Sequence, residues 1–422
     1  SLQGTGATAG YNNGFFISSA DGNYKLNISV LAQARFTWNY QPGKNIGKSN
    51  GLPVPADTAS GTGSAVSTWA FENRRTEFGF SGNVVDPSFT YAVRLAYNSA
   101  IDPYTPKANA MVLQEAWFNK DFGNGFGIKV GQFRSPFMAE SLRADGAQLT
   151  AERSVVDYFF SGGFTQGIMA TYSQDMFRAM GSYNNGPRSQ NGNFANNTNN
   201  SISLAGRFEF KAMGSWSQFD TESSAKSDES GLLIGAAIQY YNNRGRSAGT
   251  ALGGYRPAVS SVIYGEVGED LVTTGAIDWT VDAAFKSGGL SANVAFVGAN
   301  YGAALEFAGP VTKTNSYGMV VQGGYRFTDS LEAFGRWEWY NAAGGASSPS
   351  GLLGSAKDVN NILTFGVNVY AGSNIKWSTQ YGISLSDIGN GVPNLNGAGY
   401  KPDANTQSAN QMNVITQLQI MF

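Results

Sequence analysis

The side chains in this sequence best able to do chemistry are bases set on the polar faces of alternating segments. Arg35, Arg75, Arg94, Lys129, Arg207, Arg326, Arg336 and Lys376 each sit among apolar or small neighbours. A charge on the lipid face of a membrane strand costs about 2–4 kcal/mol at mid-bilayer. If these segments cross a membrane, the bases must point inward or lie near an interface. Inward bases in a narrow low-dielectric passage attract anions and repel cations. The competing reading is that each base pairs with a nearby acid to stiffen a wall. The pairs Arg75–Glu77, Arg207–Glu209 and Glu332–Arg336 are close enough in sequence for that.

Other chemistries are poorly served. The chain has no His and no Cys, which removes thiol chemistry, the usual zinc ligands and the common acid–base residue. Carboxylates near one another could exchange protons, but each is better explained as the partner of an arginine. We therefore expect no enzyme, no catalytic residues, no metal and no cofactor. A net charge of −2 argues against a nucleic-acid partner.

The elements that would position the bases are strands. In Lys25–Tyr40 one face reads Leu26, Ile28, Val30, Ala32, Ala34, Phe36, Trp38 and Tyr40. The opposite face is polar except at Leu31. Sixteen such residues span about 50 Å at roughly 3.3 Å each, well beyond one bilayer crossing. Phe89–Asn98 repeats the pattern: Phe89, Tyr91, Val93, Leu95 and Tyr97 alternate with Thr90, Ala92, Arg94, Ala96 and Asn98. The chain closes the same way, with Met412, Val414, Thr416, Leu418, Ile420 and Phe422 on one side and mostly amides on the other. A final strand ending on an aromatic suits a barrel whose last strand pairs with its first.

Counting similar stretches gives sixteen strands, an even number that brings both ends to one side. The connections sort by length. Asn83–Ser88, Asp121–Phe126, Ser287–Gly289, Thr328–Ser330 and Gly372–Asn374 are short. Gln41–Glu72, Ser99–Met111, Ser135–Phe164, Asn184–Ile202, Gly298–Gly318, Asn341–Asn361 and Asp387–Asn410 are long. Charged residues at 14%, 54 glycines and 13% aromatics fit a barrel with glycine-rich turns and aromatic girdles. No apolar run reaches the length of a membrane helix. The expected fold class is thus all-β: one transmembrane antiparallel barrel over 1–422, with 1–23 as a periplasmic N-terminal segment. Trp337, Trp339, Tyr340, Trp377 and Tyr381 are expected in the interface girdle.

One long connection is unusual. Ser135–Phe160 carries Phe137, Met138, Leu142, Leu149, Val155, Val156, Tyr158 and Phe159, which a free loop would not need. Folded back inside, residues 135–164 would bury those and turn Arg134, Arg143 and Arg153 toward the passage, with Glu140, Asp145 and Glu152 as opposing acids.

The chain resembles the phosphate- and polyphosphate-selective porins of Gram-negative outer membranes. The resemblance rests on Gly14-Phe15, Asp21-Gly22, Arg74-Arg75 and, above all, Lys129 to Ser154, with Val130-Gly131-Gln132-Phe133, Pro136-Phe137, Glu140, Leu142, Leu149-Thr150 and Glu152-Arg153-Ser154. Tyr183-Asn184-Asn185-Gly186, Glu332 with Arg336, and Gly366-Val367-Asn368 before Lys376 and Tyr381 extend it. It implies a sixteen-stranded trimeric barrel in outer-membrane lipid beside lipopolysaccharide, narrowed by its third loop. The family's basic ladder is not matched: Lys211–Ser230 offers Lys211 and Lys226 against Asp220, Glu222, Asp228 and Glu229. The expected function is passive diffusion of small hydrophilic solutes with mild anion preference, phosphate included. The alternatives are a general or sugar porin with weak charge selectivity, and a barrel that only anchors a surface structure or adhesin.

Overall fold

The computed structural model describes residues 6–12, 14–42, 65–98, 111–192, 202–243, 274–303, 314–341, 359–386, 397–401 and 410–422. The loop assignments made for the intervening stretches lie outside the described residues. Two short strands, β1 (Thr8–Tyr11) and β2 (Phe15–Ser18), precede the rest. The wall begins with β3 (Lys25–Gln41), β4 (Val66–Val84), β5 (Asp86–Asn98), β6 (Val112–Asp121) and β7 (Phe126–Arg134). It continues through β8 (Phe164–Ser173), β9 (Phe177–Asn184), β10 (Ile202–Met213), β11 (Gly231–Asn243), β12 (Thr274–Ser287) and β13 (Leu290–Ala303). The last five are β14 (Thr314–Thr328), β15 (Leu331–Asn341), β16 (Val359–Ala371), β17 (Ile375–Ser384) and β18 (Met412–Met421).

Each wall strand pairs antiparallel with the next, and β18 returns to β3 from Met412↔Tyr40 to Met421↔Leu31. Sixteen strands therefore close a barrel with no free edge along this seam, as a bilayer-spanning sheet requires. β18 ends above the start of β3, where Phe422 and Val30 exchange backbone hydrogen bonds. Below that point β2 pairs with Lys25–Ile28 and β1 pairs with β2, so the N-terminal hairpin continues the sheet at the turn end.

Period-two alternation decides what faces where. Along β18 and its two flanking residues, Gln411, Asn413, Gln417 and Gln419 are buried inside, while Leu418, Ile420 and Phe422 are exposed outside. Trp69, Phe71, Phe118, Ile168, Tyr183, Ile238, Phe365 and Trp377 are likewise exposed on the outer face. This inversion, polar within and apolar without, is that of a barrel solvated by lipid. No described helix is long and apolar enough to cross a membrane.

Three expectations need correction. β4 starts at Val66 rather than Asn73, because Val66–Phe71 stays paired with Phe36–Gln41 and saturates backbone groups that would otherwise lie open. Tyr340 is not in an outer girdle. It alternates with Trp337 and Trp339, so it points inward, 1% exposed, and stacks on Phe159 at 5.3 Å. One connection at the turn end, 214–230, is long and folds inward rather than making a tight turn.

Candidate functional site

The connection after β7 crosses the lumen. It carries two short helices, α1 (Ala139–Leu142) and α2 (Val155–Phe160). Ser154 caps α2, its hydroxyl accepting from the Asp157 amide. Phe137, Met138, Val155, Val156, Phe159 and Phe160 form one apolar cluster with Ala237, Val297, Val320, Tyr340 and Ile362 of the inner wall. Each such side chain is worth about 1.5–3 kcal/mol when fully buried. Gly318 makes room, since a Cβ there would lie 2.7 Å from the Phe160 ring and 2.8 Å from Val156. Of the apolar residues expected to be covered, only Leu142 and Tyr158 are merely half-buried.

Polar contacts fasten the same loop to the opposite wall. Glu152 lies among three arginines: Arg74 at 2.8 Å, Arg35 at 3.2 Å, and Arg75 in direct contact. Tyr158 donates its hydroxyl to the same carboxylate at 2.7 Å. Two consecutive strand residues reach one carboxylate because the register shifts at this point: Gln33 pairs with Arg75 and Ala34 with Asn73, leaving Arg74 as a bulge. Burial would raise the Glu152 carboxyl, but Arg74, Arg75 and Arg35 outweigh it and hold it well below the ordinary range. Asp145 is in the same position, with burial overcome by Arg153, Arg75 and Arg134. It contacts Arg153 directly, Arg134 at 3.4 Å and Arg75 at 3.8 Å.

Further along, Arg336 pairs with Glu338 at 2.7 Å and donates to Thr150 Oγ1 at 2.6 Å and the Glu152 carbonyl at 2.8 Å. Lys376 donates to the Gln148 carbonyl at 2.7 Å, Asn368 to that of Leu149 at 2.9 Å, and Gln419 to that of Gly146 at 3.0 Å. Glu140 accepts from the Ser154 amide at 2.7 Å and hydroxyl at 2.6 Å. Burial first, then the Asp157 and Glu222 carboxylates, push Glu140 up to about 8.

From the turn end, segment 214–230 rises to meet the loop. Glu222 pairs with Arg143 at 3.4 Å, accepts from the Leu149 amide at 2.8 Å and donates its own amide to Ala147 at 2.9 Å. Lys286 holds this segment by donating to the carbonyls of Gln218, Thr221 and Ser223 at 2.6–2.7 Å. The sequence reading missed Lys286, Glu222 and Glu338 as tethers. Its available signal was the length of Lys211–Ser230, too long for a turn.

The remaining bases lie elsewhere on the inner wall: Arg94, Lys129 and Arg134 on β5 and β7, Arg207 on β10 and Arg326 on β14. Arg94 is 2.9 Å from Glu77 and 3.6 Å from Glu115, with its side chain 30% exposed. Arg134 lies 3.6 Å from Glu115 and donates to the Ser141 carbonyl at 2.6 Å. Lys129 sits 4.1 Å over the Trp117 ring, with no carboxylate within ion-pair distance among the described residues. Arg207 bridges Glu209 and Asp282, and Arg326 lies 4.1 Å over the Tyr370 ring. Of the three pairings suggested by spacing, Arg207–Glu209 forms. Arg75 instead takes Glu152, which the inward loop brings against it, and Arg336 takes Glu338, two residues on along the same inner face of β15.

One linked ion-pair group results among the described residues. Arg35, Arg74, Arg75, Arg94, Arg134 and Arg153 face Glu72, Glu77, Glu115, Asp145 and Glu152, six bases against five acids. The inward residues of β15–β18, including Glu332, Arg336, Asn368, Lys376, Gln380 and Gln417, are buried under the loop. Those of β5–β9, including Arg94, Trp117, Lys129, Thr171 and Arg178, remain partly exposed. A cavity of about 310 Å³ lies beside the loop, lined by Leu31, Glu77, Arg94, Ala144, Gly146 and Met421 among others.

Comparison with known proteins agrees with this architecture. The family described as phosphate-selective porin O and P matches residues 57–387. No curated relative matches the sequence. Among solved structures, the anion-selective porin from Comamonas acidovorans is similar at TM-score 0.52 and 11% identity, covering 94% of this chain and 100% of that one. OprB of Pseudomonas putida gives 0.55 and 8%, covering 94% of each chain. OmpT of Vibrio cholerae gives 0.52 and 10%, covering 94% and 98%. At these identities the likeness is one of fold.

Proposed function

The chain belongs to the phosphate-selective porin O and P family, and from that premise we propose that it passes small hydrophilic solutes by diffusion with a mild preference for anions. It is an outer-membrane channel of a Gram-negative bacterium rather than an enzyme. The observation that supports the anion preference is the six-to-five balance of bases over acids, among the described residues, in the ion-pair network beside the passage. One surplus charge inside a low-dielectric wall biases ions without excluding either sign.

Phosphate specificity is not part of this reading. Tight recognition of phosphate uses converging Arg forks, Lys or backbone amides. Here the forks of Arg35, Arg74, Arg75 and Arg153 are engaged by Glu152 and Asp145. Those arginines hold the third loop across the lumen, where we take it to set the narrowest point. The site residues therefore divide: Arg35, Arg75, Arg134, Arg143, Arg153, Arg336 and Lys376 with Glu140, Asp145 and Glu152 position the loop, while Arg94 and Lys129 act on ions. A homotrimer is proposed from the family resemblance, since ring-closed assemblies are common.

The test is reversal potential in planar bilayers under a KCl gradient, followed by phosphate addition. The reading expects a potential on the anion side and a chloride current that millimolar phosphate leaves nearly intact. Cation selectivity, or saturable block of chloride by low phosphate, would overturn it.

A further inference from the structure

We propose that Trp117 and Lys129 form a subsite in the lumen for small organic anions that carry a flat apolar face, such as aryl carboxylates. The proposal rests on the channel reading and goes beyond it by naming a class of solute.

The ammonium of Lys129 lies 4.1 Å from the centre of the Trp117 ring, within cation–π distance. Both side chains project from the inner face, opposite the exposed Phe118 and Val130 of the same strands. The residues directly across from Trp117 are Ala92 on β5 and Gly131 on β7. Both are small, so the indole is not hemmed in by its neighbours along the wall. Gly131 is required there: its φ is +128°, and a Cβ would fall 2.2 Å from the Ala116 carbonyl oxygen and 2.8 Å from the Trp117 Cα. The strand thus comes close beside the tryptophan while presenting no side chain against it.

The electrostatics point the same way. Glu115, the nearest acid on this face, is occupied by Arg94 and Arg134, both at 3.6 Å. Lys129 therefore has no carboxylate within ion-pair distance among the described residues and lies beside a half-buried indole. A second base–indole group lies nearer the turn end, where Arg178 is 4.7 Å from the Trp216 ring and Lys211 5.6 Å. Its cations are answered by Glu209 at 2.6 Å and Asp175 at 3.3 Å, so it offers no comparable free charge. A compact oxyanion would gain only the ammonium at the Lys129 site. An aryl carboxylate gains the ammonium and a ring contact together.

The experiment measures block of chloride current through the intact protein in planar bilayers, with sodium benzoate, sodium acetate and inorganic phosphate as probes. Wild type is expected to be half-blocked by benzoate at about a fivefold lower concentration than by acetate, the size of one aromatic contact. Trp117→Ala should bring that ratio close to one, and Lys129→Met should weaken block by both carboxylates. Trp117→Leu, which keeps apolar bulk without the ring, serves if the alanine variant does not fold. Phe118→Leu, on the outer face of the same strand, should retain the wild-type ratio. Equal block by benzoate and acetate in wild type, or a ratio that survives loss of the tryptophan ring, would overturn the proposal. Absence of any KCl conductance would instead overturn the channel reading beneath it.

Discussion

The arc from β14 through β18 to β3 and the arc from β5 to β9 carry the same residue types to different ends. On the first, Arg35, Arg336 and Lys376 are buried beneath the third loop and are spent on Glu152, Glu338 and backbone carbonyls. On the second, Arg94 and Lys129 keep contact with water, and Lys129 meets an indole rather than a carboxylate. An inward base is therefore not by itself part of a filter. Whether the loop covers it, as well as what opposes it, decides whether it fastens the wall or acts on ions.

The largest effect that would break this contrast is expected at Glu152. Replacing it with alanine leaves Arg35, Arg74 and Arg75 facing one another without a counter-charge. Removing one partner of a buried ion pair costs about 3–5 kcal/mol. Urea unfolding of the Glu152→Ala protein should show a loss of that order, with noisier single-channel current as the loop loosens. A midpoint equal to wild type would mean that the cluster does not hold the loop.

Lys376→Met comes next. It leaves the buried Gln148 carbonyl without its donor, which costs about 1–3 kcal/mol. The same unfolding assay should register this, and the reversal potential should barely move. A large selectivity change instead would place Lys376 among the ion-facing groups and erase the contrast.

On the open arc the signs reverse. Arg94→Gln should cost less stability than Glu152→Ala, because Arg94 is partly exposed and only one buried carboxylate, Glu77, loses its nearest counter-charge. It should lower the anion-to-cation permeability ratio, an effect that weakens as salt is raised.

The smallest expected effect is with pH. Glu140 has its carboxyl raised to about 8 by burial and by the Asp157 and Glu222 carboxylates. The folded protein therefore binds a proton that the unfolded chain has already released, so Glu140's contribution makes stability fall as pH rises from the ordinary glutamate range through about 8. Protonation also removes one negative charge from the loop. Anion preference should then rise modestly on going from pH 9 to pH 7, and Glu140→Gln should flatten that profile.

Much of this organisation was legible in the residues alone. Strict alternation in Lys25–Tyr40 and in the final strand placed their faces, because a period of two leaves one choice once lipid lies on one side. Apolar residues in Ser135–Phe160 marked the loop that turns inward. Arg74 was harder: its inward direction depends on a bulge, and a one-residue register shift leaves no local trace. The partner of Arg75 was also hidden, since it depends on where the loop meets the wall, whereas Glu338, two residues from Arg336 on one strand face, was open to reading. Tyr340 was misplaced because its type suggested a girdle where its position, one residue from Trp339, required the lumen.

The most direct test of the account is the reversal potential of the Arg94→Gln, Lys129→Met double variant beside wild type, in a KCl gradient at low ionic strength. The account predicts that the wild-type anion preference disappears in the double variant while the unfolding midpoint falls less than in Glu152→Ala. An unchanged reversal potential would contradict it, and would return selectivity to the bases under the loop.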